Sequence, residues 1–206
     1  MNLVFDLGGV VLRWQPDDFL ARLLPARAAD RAAARALGAA VFQGFGGEWR
    51  EFDRGTVEPG PLAERIASRT GLDVDEVRTL IEAIPHELQP IPETVALIER
   101  LQAAGHRLFF LSNMPVPYAR HLESTHAVLG RFERGVFSSR VGLLKPDAEM
   151  FEHAAAHFGL APQQLVMIDD IEANVAAARR VGWGGVLFED AALCEAELRR
   201  QGLERR

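Results

Sequence analysis

Short apolar runs recur along the chain at wide intervals and predict the strands of a sheet. The predicted strands cover residues 2–6, 107–111, 135–138, 165–168 and 184–188. Continuous apolar runs of this length are typical of strands that are buried on both faces. Because segments with helical spacing separate these runs, we predict a parallel sheet with right-handed crossovers. The fold class is therefore α/β, with a Rossmann-like three-layer core around a central parallel sheet.

The stretch between the first two strands has apolar residues at helical spacing and no predicted strand. Phe42, Phe45, Trp49 and Phe52 recur at intervals of three and four residues, which indicates one face of a helix or turn. Trp14 and Trp49 are interpreted as packing residues of this stretch rather than as platforms for a ligand. We predict an α-helical cap domain inserted into the α/β core. The core is assigned to residues 1–13 and 88–206, and the cap to residues 14–87.

Polar side chains follow three of the predicted strands at the point where each strand ends. Asp6 follows the first strand, Ser112 the second, and Asp169 and Asp170 the fourth. The carboxyl ends of parallel strands lie at one edge of the sheet, where open α/β sheets bind their ligands. We therefore expect these side chains to converge, although they are far apart in the sequence.

Two turns are predicted beside these strand ends. Gly8 and Gly9 directly follow the first strand and allow the backbone to turn tightly, with residues 10–12 extending as a hairpin. Pro146 is predicted in the first turn of a helix, where its missing N–H group does no harm. Lys145 would then lie just before that helix and join the polar cluster.

Composition limits the class of protein. The chain has 206 residues, of which 48% are hydrophobic and 25% charged, as in ordinary globular domains. Its net charge of −6 argues against a broad nucleic-acid surface, and no apolar run approaches the roughly 20 residues of a membrane span. Asp6 interrupts the first apolar run and no basic leader precedes it, so no signal peptide is expected. We expect a cytoplasmic monomer or homodimer without nucleic-acid or membrane partners.

Two residue types are unusually rare. Lys145 is the only lysine among the 23 basic residues. An arginine bias is typical of GC-rich coding sequences, so the lysine is either a chance survivor or a compact ammonium that arginine cannot replace. Cys194 is the only cysteine, which excludes an internal disulfide and a Cys-x-x-Cys metal site. It is interpreted as a small packing residue.

The residue types of the polar cluster favour binding of a cation and of a phosphate. Clustered carboxylates repel one another unless a cation joins them, and a set of oxygen ligands favours Mg²⁺. The Ser112 hydroxyl and neighbouring backbone N–H groups can bind phosphate oxygens, and Lys145 can neutralise a phosphate. A carboxylate held beside that phosphate can act as a nucleophile through an acyl-phosphate intermediate.

Four motifs, in order, resemble those of the haloacid dehalogenase-like (HAD) superfamily. They are Val-Phe-Asp-Leu-Gly-Gly-Val-Val at 4–11, Leu-Ser-Asn at 111–113, Leu-Lys-Pro-Asp at 144–147 and Ile-Asp-Asp-Ile-Glu-Ala-Asn at 168–174. The resemblance extends over nearly the whole chain, and the helical stretch resembles the superfamily's cap by position and length. The Asp-Leu-Gly sequence resembles a phosphatase branch that includes bacterial sugar-phosphate phosphatases. It implies a hydrolase of phosphoric monoesters.

The resemblance also implies roles for the reacting and phosphate-binding residues. Asp6 would be the nucleophile. Ser112 and the Asn113 backbone would bind the phosphate, and Lys145 would bridge Asp6 and the phosphate.

A Mg²⁺ cofactor is implied in the same way. Its ligands would be Asp6, the backbone carbonyl of Gly8 and Asp170, with Asp169 bound directly or through water. Asn174 would orient these ligands from behind.

One position departs from the superfamily pattern. Most of its phosphatases have a second Asp two positions after the nucleophile as general acid and base, but this chain has Gly8, which cannot transfer a proton. A cap residue would then have to supply the proton, and Glu48, Glu51 and Asp53 lie beside aromatic residues. For each of them taken singly, a solvated charge at a helix end is the better explanation. Alternatively, the substrate has a good leaving group, such as an anomeric phosphate.

Three functions are weighed. The first is a Mg²⁺-dependent phosphatase that hydrolyses a small phosphorylated metabolite, such as a sugar phosphate, through an aspartyl-phosphate. The second is a 2-haloacid dehalogenase, in which Asp6 attacks carbon without a metal; it leaves Asp169 and Asp170 without a use. The third is a catalytically weak binding or regulatory protein, for which Gly8 is the only support.

Overall fold

A five-stranded parallel sheet forms the centre of the computed structural model, which describes residues 1–44 and 46–202. The strands are β1 (Asn2–Phe5), β2 (Arg107–Ser112), β3 (Arg134–Phe137), β4 (Leu165–Asp169) and β5 (Gly184–Leu187). They lie in the order β3-β2-β1-β4-β5, and each neighbouring pair is parallel. All five lie where the sequence predicted strands, so the Rossmann-like α/β fold class is confirmed.

Both faces of this sheet are apolar. Val4 and Met167 belong to the cluster on one face, whereas Phe5 and Ile168 belong to the cluster on the other. Successive side chains of a strand point to opposite faces, and here each face is covered by helices. This explains why the strands are continuous apolar runs and do not alternate with polar residues.

Among the described residues, six helices belong to the remainder of the core, one before β2 and five after it. They are α6 (Pro92–Ala103), α7 (Val116–Thr125), α8 (Ser138–Val141), α9 (Ala148–Phe158), α10 (Glu172–Arg180) and α11 (Ala191–Arg200). Short 3-10 turns occupy Ala127–Arg131 and Pro162–Gln164. Within the described ranges, no helix combines the length and the apolar character that crossing a membrane requires.

The predicted start of α9 at Pro146 is wrong. The helix begins at Ala148, and Asp147 is its N-cap. The Lys145 backbone is held in the preceding loop because its N–H donates to Asn113 Oδ1 and its carbonyl accepts from Asn113 Nδ2, both at 2.9 Å. The Lys145–Pro146 peptide bond is cis.

Residues between β1 and α6 form helices only, as far as the chain is described there. These are α1 (Pro16–Leu23), α2 (Arg31–Phe42), α3 (Gly47–Arg54), α4 (Pro59–Thr70) and α5 (Val74–Glu87). The predicted aromatic face is divided between α2 and α3, because Gln43 and Gly44 adopt positive φ angles of 52° and 59° and end α2. Phe45 lies outside the described residues. The rings of Phe42 and Trp49 still meet, with centroids 4.8 Å apart.

The turn after β1 is more compact than the predicted hairpin. The backbone N–H groups of Val10, Val11 and Leu12 all donate to the Leu7 carbonyl, at 3.3, 2.9 and 2.7 Å. The chain therefore folds back over Leu7 at once.

The chain enters and leaves its helical stretch through two segments that lie side by side. Arg13 N–H donates to the Gln89 carbonyl at 2.8 Å, and Ile91 N–H donates to the Val11 carbonyl at 2.9 Å. An inserted domain needs two neighbouring connections of this kind, since it leaves and rejoins the same sheet edge.

Candidate active site

A cavity of about 280 Å³ lies at the carboxyl edge of the sheet. Asp6 and Ser112 reach it from the ends of β1 and β2, and Lys145 and Asn113 also line it. Since β1 lies between β2 and β4, Asp6 stands between Ser112 and Asp169. The structure thus brings together the polar strand ends that the sequence expected to converge.

Lys145 is buried among carboxylates. Its ammonium nitrogen lies 2.9 Å from Asp6 Oδ1 and 2.6 Å from Asp169 Oδ2, and its side chain is 1% exposed. Burial alone would lower the pKa of Lys145, but the Asp169 and Asp6 carboxylates outweigh burial and raise that pKa. Lys145 therefore remains a cation between two acids.

The acids of this cluster are crowded. Burial raises the pKa of Asp6 to about 7 against the effect of Lys145, and the charges of Asp169 and Asp170 raise it further. Burial and the Asp169 charge raise the pKa of Asp170 to about 6. One ammonium does not offset three carboxyl groups, which leaves a demand for further positive charge.

Backbone groups and an amide hold the acids in place. Leu7 N–H donates to Asp6 Oδ1 at 2.7 Å, and Ile171 N–H donates to Asp169 Oδ1 at 2.9 Å. Asn174 Nδ2 donates to both oxygens of Asp169, at 3.0 and 3.1 Å. Asp169 therefore has partners on both of its oxygens, and Asn174 is one of them.

The residues present fit a Mg²⁺ ion. Oxygens of Asp6, Asp169 and Asp170 lie within 4.8 Å of one another, and a hard cation prefers such oxygen ligands. Asn174 Oδ1 is buried and has no hydrogen-bond partner within the described residues, so it can accept from a ligand. Gly9 is required beside this cluster: its φ is +82°, and a Cβ there would lie 2.3 Å from Asp170 Oδ2.

Of the three acids of the helical stretch singled out in the sequence, one lines the cavity. Glu48 pairs with Arg69 at 3.0 Å and Glu51 with Arg65 at 2.8 Å, both away from the site. Asp53 lies in the cavity wall. The sequence could not separate these three, because only the packing of α3 decides which of them faces β1.

The rest of the cavity wall is apolar, which the sequence reasoning missed. Trp14, Phe42, Trp49 and Ile84 come from the helical stretch, and Met114 from the loop after β2. The two tryptophans do pack against neighbouring rings, as interpreted, but they also face the cavity. The regular spacing of Phe42 and Trp49 in the sequence was the signal that could have indicated this wall.

Comparisons with known proteins agree on one family. A family model described as haloacid dehalogenase-like hydrolase matches residues 1–182. The sequence is 27% identical over 96% of its length to the sesquiterpene phosphatase astK of Aspergillus oryzae, and the match covers 94% of that protein.

Solved structures show the same fold. An HAD family enzyme from Bacteroides thetaiotaomicron, in complex with magnesium and inorganic phosphate, matches with a TM-score of 0.70 at 19% identity, covering 92% of this chain and 96% of that one. The L-2-haloacid dehalogenase from Xanthobacter autotrophicus matches with a TM-score of 0.67 at 18% identity, covering 89% and 75%.

Proposed function

We propose that this chain, which belongs to the haloacid dehalogenase-like hydrolases, is a Mg²⁺-dependent phosphatase of a small phosphorylated metabolite. The coarse part of this function, a phosphoric monoester hydrolase, is supported by its phosphatase relatives. One observation carries the finer part: a buried ammonium and three carboxyl groups lie together, and two of these groups, Lys145 and Asp6, line a cavity.

The proposed reaction begins at Asp6. Its free carboxylate oxygen attacks phosphorus while Leu7 N–H and Lys145 hold the other oxygen. Ser112 binds phosphate oxygens, with the Asn113 backbone beside it. The bond from phosphorus to the ester oxygen breaks, and the alcohol leaves. Water then attacks the phosphorus of the aspartyl-phosphate, the bond from phosphorus to Asp6 breaks, and phosphate is released.

The metal would be held by Asp6, the Gly8 carbonyl and Asp170, with Asp169 behind them. Mg²⁺ would neutralise the crowded acids and the charge on the transferred phosphoryl group. Asp169 and Asn174 keep Lys145 in place, so the ammonium remains directed at Asp6.

The alternatives have less support. A 2-haloacid dehalogenase shares the fold. However, attack of Asp6 on carbon gives Asp170 no role and needs no cation beside the carboxylates. A catalytically weak binding protein is consistent with Gly8, but it leaves the buried Lys145 between Asp6 and Asp169 unexplained.

The decisive experiment compares Asp6→Asn with the unchanged protein. Mg²⁺-dependent hydrolysis of p-nitrophenyl phosphate should fall at least about 1,000-fold, because the nucleophile is lost. Asp75→Asn, whose side chain is 83% exposed on α5, is the matched control and should keep full activity. Chloride release from 2-chloropropionate without metal would favour the dehalogenase. Failure of beryllofluoride with Mg²⁺ to raise the melting temperature would favour the binding protein.

The division into two domains is part of this proposal. The helical residues 14–87 would act as a cap over the core of residues 1–13 and 88–206. The paired segments around Arg13 and Gln89 support this division, and the cavity is lined from both sides of it.

A further inference from the structure

We propose that the cavity accepts the phosphate ester of an apolar alcohol and not a sugar phosphate. This inference rests on the proposed function, because it assumes that the phosphate lies at Asp6. It concerns the alcohol part of the substrate, which departs with the ester oxygen.

The cavity has a polar floor and an apolar wall. Asp6, Ser112 and Lys145 lie together at the sheet edge, where the phosphate would bind. Above them most of the wall is apolar and includes Trp14, Phe42, Trp49, Ile84 and Met114. A substrate that fits both must carry its charge at one end and apolar surface over the remainder.

The wall offers little to a sugar. The Tyr118 hydroxyl is already committed, since it donates to the Ile81 carbonyl at 2.7 Å, and the Asn113 amide is committed to the Lys145 backbone. Among the described residues that line the wall above the floor, Asp53 is the only charged side chain. Sugar hydroxyls enclosed here would lose water without gaining partners, which disfavours their binding.

The apolar wall is preformed. Trp14 and Phe42 meet edge to face with centroids 5.6 Å apart, and Phe42 and Trp49 at 4.8 Å. Edge-to-face contacts of this kind are favourable and hold the rings in place. A volume of about 280 Å³ suits a small ligand near the lower limit of usual pockets.

The first test compares phosphate esters with Mg²⁺ present. We expect kcat/KM for farnesyl phosphate and n-octyl phosphate to exceed that for glucose 6-phosphate and glucose 1-phosphate at least about 100-fold. Equal or better hydrolysis of either glucose phosphate would overturn the inference. If p-nitrophenyl phosphate is not hydrolysed either, the proposed function itself fails, so the two failures are distinguishable.

A variant of the wall provides the second test. Trp14→Gln should lower kcat/KM for farnesyl phosphate at least tenfold more than for p-nitrophenyl phosphate, and Trp14→Phe should restore most of the loss. Trp14 is half-buried, and a melting curve checks that the variant folds. Leu193→Gln, at a position 53% exposed on α11, is the control. Equal losses for both substrates would contradict the role of the wall.

A different observation carries a second inference. We infer that Asp53 donates the proton that Gly8 cannot supply. Asp53 lies on α3, in the wall of the cavity whose floor is Asp6. An aliphatic alcohol is a poor leaving group and needs a proton as it departs.

Contacts with the core fix Asp53 in this position. Its backbone carbonyl accepts from Ser138 Oγ at 2.5 Å, and Ser138 Oγ accepts from Met114 N–H at 2.8 Å. One turn earlier, Arg50 pairs with Asp147 at 2.6 Å. The helix is thus attached to the loops that follow β2 and Lys145, the loops that also form the phosphate site.

The surroundings of Asp53 favour its protonated form. Burial raises the pKa of Asp53 to about 7, Asp6 raises it further from β1, and Arg50 on the same helix lowers it. Tyr118 faces it from α7 as a neutral phenol, since burial and the Asp53 charge raise the pKa of that phenol. Lys145 is the other charged group of the cavity. The acid is therefore available near neutral pH.

The proton moves in two balanced steps. As Asp6 bonds to phosphorus, the bond from phosphorus to the ester oxygen breaks, and that oxygen takes the Asp53 proton and leaves as an alcohol. The Asp53 carboxylate then takes a proton from the water that attacks phosphorus, and the bond from phosphorus to Asp6 breaks. Ester and water give alcohol and phosphate, and both acids return to their first state.

The test uses two leaving groups. Asp53→Asn should lower kcat/KM for n-octyl phosphate about 100-fold or more and lower that for p-nitrophenyl phosphate far less, because nitrophenolate needs no proton. The fall of kcat/KM for n-octyl phosphate above about pH 7 should also disappear. Equal losses for the two esters would overturn the assignment.

Gly8→Asp provides a rescue. A Cβ at Gly8 meets no atom within 4 Å, so a carboxyl group has room there. In the Asp53→Asn background, Gly8→Asp should raise kcat/KM for n-octyl phosphate at least about tenfold. A double variant no better than Asp53→Asn would show that the lost function is not proton transfer.

Discussion

Lys145 shows how one residue can determine a site. Its ammonium bridges Asp6 and Asp169 within 3 Å of each, and its burial leaves no room for the broader guanidinium group. Lys145 is the only lysine in the sequence, which distinguished this position. Its place in the third motif implied Asp6 as its partner. The sequence could indicate Asp53 only as one of three candidate acids, because its carboxyl reaches the cavity through the docking of α3 on Ser138.

Replacing this lysine tests its burial. Lys145→Met should abolish phosphatase activity and lower the free energy of unfolding by about 3–5 kcal/mol at pH 7.5, because two buried acids lose their cation. The loss should shrink at pH 5, where Asp6 is protonated. Denaturant unfolding at both pH values measures it. Arg78→Met, half exposed on α5, should stay within about 0.5 kcal/mol. A variant as stable as the parent at pH 7.5 would contradict the pairing.

The two neighbouring glycines should differ. Gly9→Ala places a Cβ against Asp170 at a positive φ, so it should lower Mg²⁺-dependent activity at least about tenfold and raise the Mg²⁺ concentration needed for half activity. Gly8→Ala meets open space and should lose several-fold less. Titration of p-nitrophenyl phosphate hydrolysis with Mg²⁺ compares them. Equal sensitivity at both positions would mean that Asp170 lies elsewhere in the working enzyme.

At the scale of elements, α3 is the link between the two parts of the chain. Its Phe52 ring meets Trp49 of the same helix and Tyr118 of α7, with centroids 5.6 and 5.5 Å apart. Apolar runs and helical spacing were enough to predict the strands and the helical stretch. The positive φ angles at Gln43 and Gly44 and the loop before α9 were not predictable, since long-range contacts decide them.

Removing the shared ring should weaken this link. Phe52→Ala should lower the free energy of unfolding by about 3–5 kcal/mol, as expected for a fully buried Phe, and raise KM for n-octyl phosphate more than it lowers kcat. Denaturant unfolding and steady-state kinetics are the measurements. Leu193→Ala on the exposed face of α11 is the control. An unchanged KM would mean that the position of α3 does not shape the cavity.

At the scale of the whole molecule, the site is a concentration of acid in a chain that is already acidic. The pKa values of Asp6 and Asp53 are raised to about 7 and that of Asp170 to about 6, from an ordinary 3.8. The folded protein holds protons that the unfolded chain has released. The stability linked to these groups is therefore complete below about pH 4 and is lost as pH rises through about 7.

Magnesium should replace these protons. The rise in melting temperature from EDTA to Mg²⁺ should be larger at pH 8 than at pH 5, because at pH 5 protons compete for Asp6 and Asp170. Thermal unfolding at both pH values measures this difference. Asp6→Asn is the control, and its melting temperature should respond less to Mg²⁺. A rise at pH 5 equal to that at pH 8 would show that the cation binds elsewhere.

The distribution of tryptophan gives the molecule an optical property. Trp14 and Trp49 line the cavity, whereas Trp183 is packed against Phe151 in the cluster on the other face of the sheet. A molecule that enters the cavity must change the emission of the first two indoles and leave the third as a constant background. The protein therefore carries its own fluorescent reporter of occupancy, and no label is needed to follow binding.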